Sequence, residues 1–294
     1  MADRAGGVFN RAEEVRERLR QAPGEEARKE MAAAPEGPPP SRWTLRSVRA
    51  SFPWLEGYTL SGVSRFLAAL DLEVRSAQVR QYSPDPEYFP KQARLLECLR
   101  EAALAPDRVV ALFMDEMGYT RWPDPASSWA PQAPVPRPVA NRGIGNNQQW
   151  RIVGSLNALT GQVHYRDAYI VGREQLIKHY QQLDTAYADK EIIYVAQDNW
   201  SVHKHDDVLA ALEGLPRIQP IWLPTYAPWL NPIEKVWRWL RQDVLKMHPL
   251  IKDWDAMRAR VRQFLDQFRD HSEDLLRYVG LLGEGRLAKA VRLG

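Results

Sequence analysis

The apolar positions divide the chain into a helical first part and an alternating α/β second part. Residues 1–40 are the least core-like. Residues 11–20 have a helix-forming composition, but Val15 and Leu19 are their only large apolar side chains, too few to anchor a helix face. Pro35-Glu36-Gly37-Pro38-Pro39-Pro40 reads as an extended linker. Residues 1–40 are therefore expected to form a polar, partly ordered tail. From Ser41 the pattern changes: Leu45, Val48 and Phe52 fall at helical spacing, and Pro53 and Gly57 interrupt them. Ser61 is placed to cap a second helix, with Val63, Phe66, Leu67 and Leu70 on its apolar face. Its other face carries Ser61, Ser64 and Arg65, which suits a helix-turn-helix over residues 41–82 or any other helical hairpin. A linker helix over residues 83–106 follows.

Beyond Pro106 short apolar runs of buried-strand length alternate with helical patterns. Residues 109–114 form one run, ending at Asp115; residues 192–196 form a second, ending at Gln197-Asp198; residues 218–223 form a third. Residues 151–156 and 162–168 read as a hairpin, and residues 172–183 and 205–215 as helices. A long helix is expected over residues 233–247 and a last one over residues 254–268. Between the first strand and the hairpin, residues 120–149 are irregular and hold six prolines, and so long a connection is usually functional or disordered.

Composition narrows the class. The 294 residues include 45% hydrophobic residues, enough for a sizeable core, and 40 Lys and Arg against 37 Asp and Glu give a net charge of +3. That mild basicity is compatible with nucleic acid without requiring it. Cys98 is the only cysteine, which excludes a disulfide framework and a Cys-rich zinc site. No run of ~18 apolar residues crosses a membrane, and the first residues lack a secretory core, so a cytoplasmic protein is expected.

Asp115 and Asp198 each follow an apolar strand, where open α/β sheets place their sites, and Glu234 opens the helix after the last strand. Together they could hold one or two divalent cations for phosphoryl transfer. Each also has a structural explanation. An Asp after a strand is ordinary, and Asn231 as N-cap, Pro232 at N1 and Glu234 at N3 fit a capping box.

Three segments carry more than spacing. Leu223-Pro224-Thr225-Tyr226-Ala227-Pro228-Trp229-Leu230-Asn231-Pro232-Ile233-Glu234-Lys235-Val236-Trp237 resembles the signature of mariner-like DDE transposases, in the bacterial insertion-sequence (630-type) branch. Gln197-Asp198-Asn199 and its neighbours resemble the second motif of that family, and Phe113-Met114-Asp115-Glu116 the first. Asp198 and Glu234 are separated by 35 residues, close to the family spacing. The resemblance implies an RNase H-like catalytic domain over residues 107–285, a mixed sheet flanked by helices. It implies that Asp115, Asp198 and Glu234 are catalytic and bind two Mg²⁺ or Mn²⁺ ions. Water would cut the strand at the element's end, and the freed 3′-hydroxyl would attack target DNA, typically at TA. The partners implied are double-stranded DNA, both inverted repeats and target, and a second copy of the chain, a homodimer, in the active complex at the nucleoid. The proline-rich stretch corresponds in position to a loop that relatives use for dimer contacts. Two features depart from the family. Its members generally carry two helix-turn-helix units, so residues 1–40 would be the remnant of the first, and Trp129-Ala130-Pro131 lacks a glycine expected shortly after it.

Other residues fill out the expectation. Arg238 and Arg241 follow Glu234 at i+4 and i+7, either as phosphate contacts or as an ion-pair row with Glu234. Residues 235–265 hold eight Lys or Arg against three Asp, which suits a phosphate-facing surface. Asn199, His203 and Asn231 are expected to support the acids, and His203 with His205 is not expected to bind zinc. Trp237, Trp239 and Trp254 read as core. Two further readings stay open: a truncated, cleavage-deficient DNA-binding remnant, and a stand-alone RNase H-like nuclease.

Overall fold

A computed structural model describes residues 2–23, 41–75, 82–130, 137–143 and 145–292. The expected linker at 35–40 lies outside them, as do residues 76–81 of the expected helix-turn-helix and residues 131–136 of the proline-rich stretch. The chain divides into two compact units, Met1–Val79 and Arg80–Gly294.

The first unit contains α1 (Ala2–Leu19), α2 (Leu45–Ser51) and α3 (Leu60–Ala69). Thr44 and Ser47 cap α2 reciprocally. Thr59, not Ser61, caps α3, because its hydroxyl accepts from the Gly62 N–H at 3.1 Å. The expectation of a polar tail fails for α1. Val15 is fully buried against Val48, Phe52, Leu55 and Val63, with Leu19 packed beside them. Two apolar side chains suffice here because α2 and α3 supply the rest of a small core.

In the second unit a five-stranded sheet has the order β3-β2-β1-β4-β5. The strands are β1 (Val109–Thr120), β2 (Gln149–Asn157), β3 (Val163–Ala168), β4 (Ile192–Gln197) and β5 (Ile218–Trp222). β1 pairs antiparallel with β2 and parallel with β4, so the sheet is mixed. Pro220 sits in β5, an edge strand, where a missing N–H is tolerated. Alternation along β1 splits its side chains between two cores. Val109, Ala111, Phe113, Met117 and Tyr119 pack on the face covered by α4 (Tyr88–Leu104), α7 (Ile233–Leu240), α8 (Trp254–Asp266) and α9 (Glu273–Val279). Val110, Leu112 and Met114 pack under α5 (Arg173–Ala186) and α6 (Asp206–Glu213) on the other.

Three expectations change. The helix read as a linker is α4, which buries Leu95, Leu99 and Ala102 in the sheet's core. The unit also runs past residue 285, since α10 (Arg286–Val291) places Ala290 in the same core and Arg286 donates to Gln92 of α4 at 3.1 Å. The long helix expected over 233–247 changes pitch after Leu240 into a π-turn, Arg241–Leu245.

Truncating Val15 to alanine removes two buried methyl groups, so Val15→Ala should destabilise the first unit by about 1–2 kcal/mol. Faster amide hydrogen exchange in α2 and α3 would register this. Unchanged protection would mean that α1 does not contribute to that core.

Candidate metal and phosphate site

Asp115 does not end its strand. The parallel pairing of β1 with β4 stops at Phe113 opposite Ala196, while the antiparallel pairing with β2 continues to Thr120. Asp115 therefore stands where β1 loses one neighbour, at the carboxyl edge of the parallel part of the sheet. Asp198 immediately follows β4, and Glu234 is the second residue of α7. Asp115, Asp198 and Glu234 line one cleft of about 570 Å³, together with Asn199, Trp200, Asn231 and the segment Leu223–Pro228.

The cap explanation for Glu234 does not hold. Pro232 occupies the N-cap position without a side-chain cap bond. Asn231 instead turns inward, and its Nδ2 donates to the Met114 carbonyl at 2.9 Å. This tie joins the start of α7 to β1 one residue before Asp115. Glu234 is left exposed at the cleft, with no ion pair to Arg238 or Arg241 among the described residues.

A second tie reaches Asp115 itself. Trp237, one turn beyond Glu234 and buried, donates its indole N–H to Asp115 Oδ2 at 3.0 Å. The ring lies over Gly154, which is directly opposite Asp115 in the β1–β2 register. A Cβ at position 154 would stand 2.6 Å from Trp237 Cη2 and 3.1 Å from Cζ2, so only glycine leaves room for the ring.

Electrostatics follow from this crowding. Burial, then the charge of Glu234 and those of Glu116 and Asp198, push the Asp115 carboxyl up to about 8. Partial desolvation raises Glu234 too, and Asp198 adds to the effect, while Arg238 and Arg241 oppose it.

On the opposite face of β1, Glu116 meets His203. His203 is buried, and its Nε2 lies 3.3 Å from Glu116 Oε1 and 3.6 Å from Asp198 Oδ1. The ligand atoms of Glu116, Asp198 and His203 all lie within 4.8 Å of one another. Glu116 Oε1 is buried without a hydrogen-bond partner. Asp198 is thus shared between the acids of the cleft and this neighbouring group. An all-carboxylate oxygen set in a water-accessible cleft fits a hard divalent cation, and the raising of Asp115 by its acidic neighbours is what a cation would reverse.

The remaining expected residues separate. Asn199 Nδ2 donates to the Leu223 carbonyl at 2.6 Å, joining the segments after β4 and β5. His205 caps α6 rather than pairing with His203. Arg241 approaches Asp124 at 3.8 Å, and Arg238 lines an adjoining recess with Lys235 and Arg286. Ser61, Ser64 and Arg65 are exposed on α3, in the first unit. Glu116, Gly154 and the indole N–H of Trp237 are absent from the expected set. For Trp237 the sequence signal was its place one turn after Glu234; for Gly154 nothing short of strand register reveals it.

Residues 110–258 match the family model of the DDE superfamily endonucleases, half of the chain. The chain belongs to that family. It is 23% identical over 228 residues to an insertion element IS630 uncharacterized 39 kDa protein of Shigella sonnei, an alignment covering 77% of this chain and 64% of that one. The chain therefore spans just under two thirds of the length of this relative. The fold is shared with the Mos1 strand transfer complex (TM-score 0.57, 16% identity, 87% of this chain and 79% of that chain). A Mos1 mariner paired end complex with Mn matches equally well, with a TM-score of 0.57 and 16% identity over 87% of this chain and 80% of that one. The sheet and its flanking helices are RNase H-like. No helix among the described residues is long and apolar enough to cross a membrane.

Two tests address the site. Gly154→Ala forces Trp237 off its seat and should cost about 1–3 kcal/mol, the usual range for overpacking, in urea denaturation; a cost below 0.5 would show that the ring relocates freely (roughly the scatter of neutral changes). The second concerns pH. Asp115 binds its proton more tightly folded, near 8, than unfolded, near its ordinary ~3.9. The stability it contributes is therefore full below pH ~4 and is lost as pH rises toward 8. Metal-free protein should lose melting temperature across that window, and Asp115→Asn or saturating Mg²⁺ should flatten the loss. Parallel curves for wild type and Asp115→Asn would contradict the crowding.

Proposed function

We propose that this chain is a DNA transposase of the insertion-sequence type, which cuts the ends of its element and joins them to target DNA. The observation that carries the reading is the meeting of Asp115, Asp198 and Glu234 in one cleft, with Glu234 released from any capping duty. In this reading the three acids hold two Mg²⁺ or Mn²⁺ ions. Bound ions would supply activation of the attacking oxygen and neutralisation of the leaving one. The chain's own residues then do the positioning. Trp237 fixes one oxygen of Asp115, and Asn231 and Asn199 tie the acid-bearing segments to each other. His203 and Glu116 flank Asp198 from the other face of the sheet. Arg238 and Arg241 add positive charge on the exposed side of Glu234, where a phosphate would approach. The cut leaves a 3′-hydroxyl, which attacks a phosphodiester of target DNA, displacing its 3′-oxygen; TA is the target the family resemblance favours.

For recognition of the inverted repeats we assign the exposed face of α3, with Ser61, Ser64 and Arg65. The two solved relatives named above are a strand transfer complex and a paired end complex. By analogy we infer a homodimer that pairs two DNA ends, acting at the nucleoid.

Incubation with supercoiled plasmid carrying the element's ends, in Mg²⁺ or Mn²⁺, tests the reading. Cuts at those ends, abolished by Asp115→Ala and by Glu234→Gln with DNA binding intact, are expected. Cutting without joining would leave a stand-alone nuclease, and DNA binding without cutting a cleavage-deficient remnant.

A further inference from the structure

Tyr226 occupies a position that packing does not explain. Its backbone lies at φ 55°, in the left-handed region that a residue with a Cβ enters only when its surroundings impose it. Its side chain is 77% exposed, so burial of the ring does not offset the strain.

The imposing contacts act on the residue before it. The Thr225 N–H donates to Asp85 Oδ2 at 2.8 Å, and the Thr225 carbonyl accepts from Ser83 Oγ at 2.5 Å. Asp85 is itself nearly buried and paired with Lys91 at 2.9 Å, and the Lys91 ammonium, with the Thr225 amide, holds its carboxyl well below the usual carboxylate range. Both backbone polar groups of Thr225 are thus gripped by a segment some 140 residues earlier in the chain, and Pro228 stiffens the other side. The turn so fixed sets Tyr226 among the residues that line the cleft of Asp115, Asp198 and Glu234.

An aromatic ring left in water beside a phosphate-handling cleft has one obvious complement in DNA, the π-face of a base. Stacking on a base is tolerant of sequence, and a base offers its face only where the duplex stack has been opened. We propose that Tyr226 is a stacking platform for one unpaired nucleobase bordering the phosphate that is cut. The proposal rests on the DNA-cleaving reading above and deepens it by naming the substrate form at the cut, a locally unstacked duplex.

The test uses the full chain and duplexes of the element's ends with Mg²⁺. Tyr226→Ala should lower cleavage roughly 5- to 150-fold, the effect of one lost aromatic–base stack, and Tyr226→Phe should restore most of that loss. Abasic sites are then introduced one at a time on either side of the cut. At one position the abasic site should cost the wild type a similar factor and add nothing to Tyr226→Ala. Tyr226→Gly separates this role from a structural one: glycine adopts φ 55° without strain, so its melting temperature should match or exceed wild type while cleavage falls. Cleavage by Tyr226→Ala within twofold of wild type, or losses that add at every abasic position, would overturn the stacking role and leave the nuclease reading intact. A wild-type chain that never cuts overturns that reading, and the stacking role with it.

Discussion

Asp115, Asp198 and Glu234 repel one another in a cleft from which water is partly excluded, and the surrounding structure is organised to hold them there. Like charges in a low-dielectric setting separate or take up protons unless the chain fixes them, and Asp115, held near 8, has taken the second course. No Lys or Arg forms an ion pair with any of the three among the described residues. A paired arginine would relax the site, but it would also occupy the place that a cation and a phosphate need. The strong polar ties therefore go to the segments that bear the acids. Asn231 binds the backbone of β1, Asn199 binds the segment after β5, and Lys204 holds the Asn199 side chain at 2.9 Å. The donors that touch the acids are neutral, the Trp237 indole N–H on Asp115 at 3.0 Å and the Trp200 backbone N–H on Asp198 at 2.9 Å, and they orient the carboxylates without cancelling their charge.

The sheet divides this chemistry by parity. Consecutive residues of a strand point to opposite faces, so Asp115 and Glu116 cannot share an environment although they are neighbours in sequence. Asp115 joins the face of α7 and Trp237; Glu116 joins the face of α5, where His203 contacts Tyr180 Oη at 3.5 Å and Tyr180 donates to Gln197 Oε1 at 2.6 Å. Asp198, beyond the end of β4, is not bound by that alternation and can serve both sides. This explains why the tightest group of possible ligand atoms is Glu116, Asp198 and His203 rather than the three acids read from the motifs.

Much of this arrangement was legible in the sequence. The strands, their order of alternation with helices and the three acids follow from apolar runs and from motif residues. What escaped were features set by partners distant in the chain. The apolar run of β1 stops at Met114, yet the strand continues because β2 goes on pairing with it. Asn231 has the local signature of a cap, and a tertiary hydrogen bond to Met114 overrides it. Val15 looked too isolated to hold a helix, but burial depends on what α2 and α3 bring to it. Gly154 carries no signal of its own, since its need for a missing Cβ arises only once register sets it under Trp237.

The π-turn after α7 shows the same dependence at longer range. A helix widens in this way where an outside contact competes with its own ladder, often near a functional site. Here the Asp124 N–H donates to the Leu245 carbonyl at 3.0 Å, and the Met247 N–H, at φ 52°, donates to the Asp124 carbonyl at 3.0 Å. Asp124 belongs to the neck of the proline-rich stretch, which Arg121 closes by donating to the Asn146 carbonyl at 2.8 Å and Trp122 by donating its N–H to Asn147 Oδ1 at 3.0 Å. The neck is therefore fastened to the π-turn that continues α7, the helix that carries Glu234. Trp129 stands fully exposed farther along that stretch, whose neck is held against the turn after α7 by these two backbone hydrogen bonds.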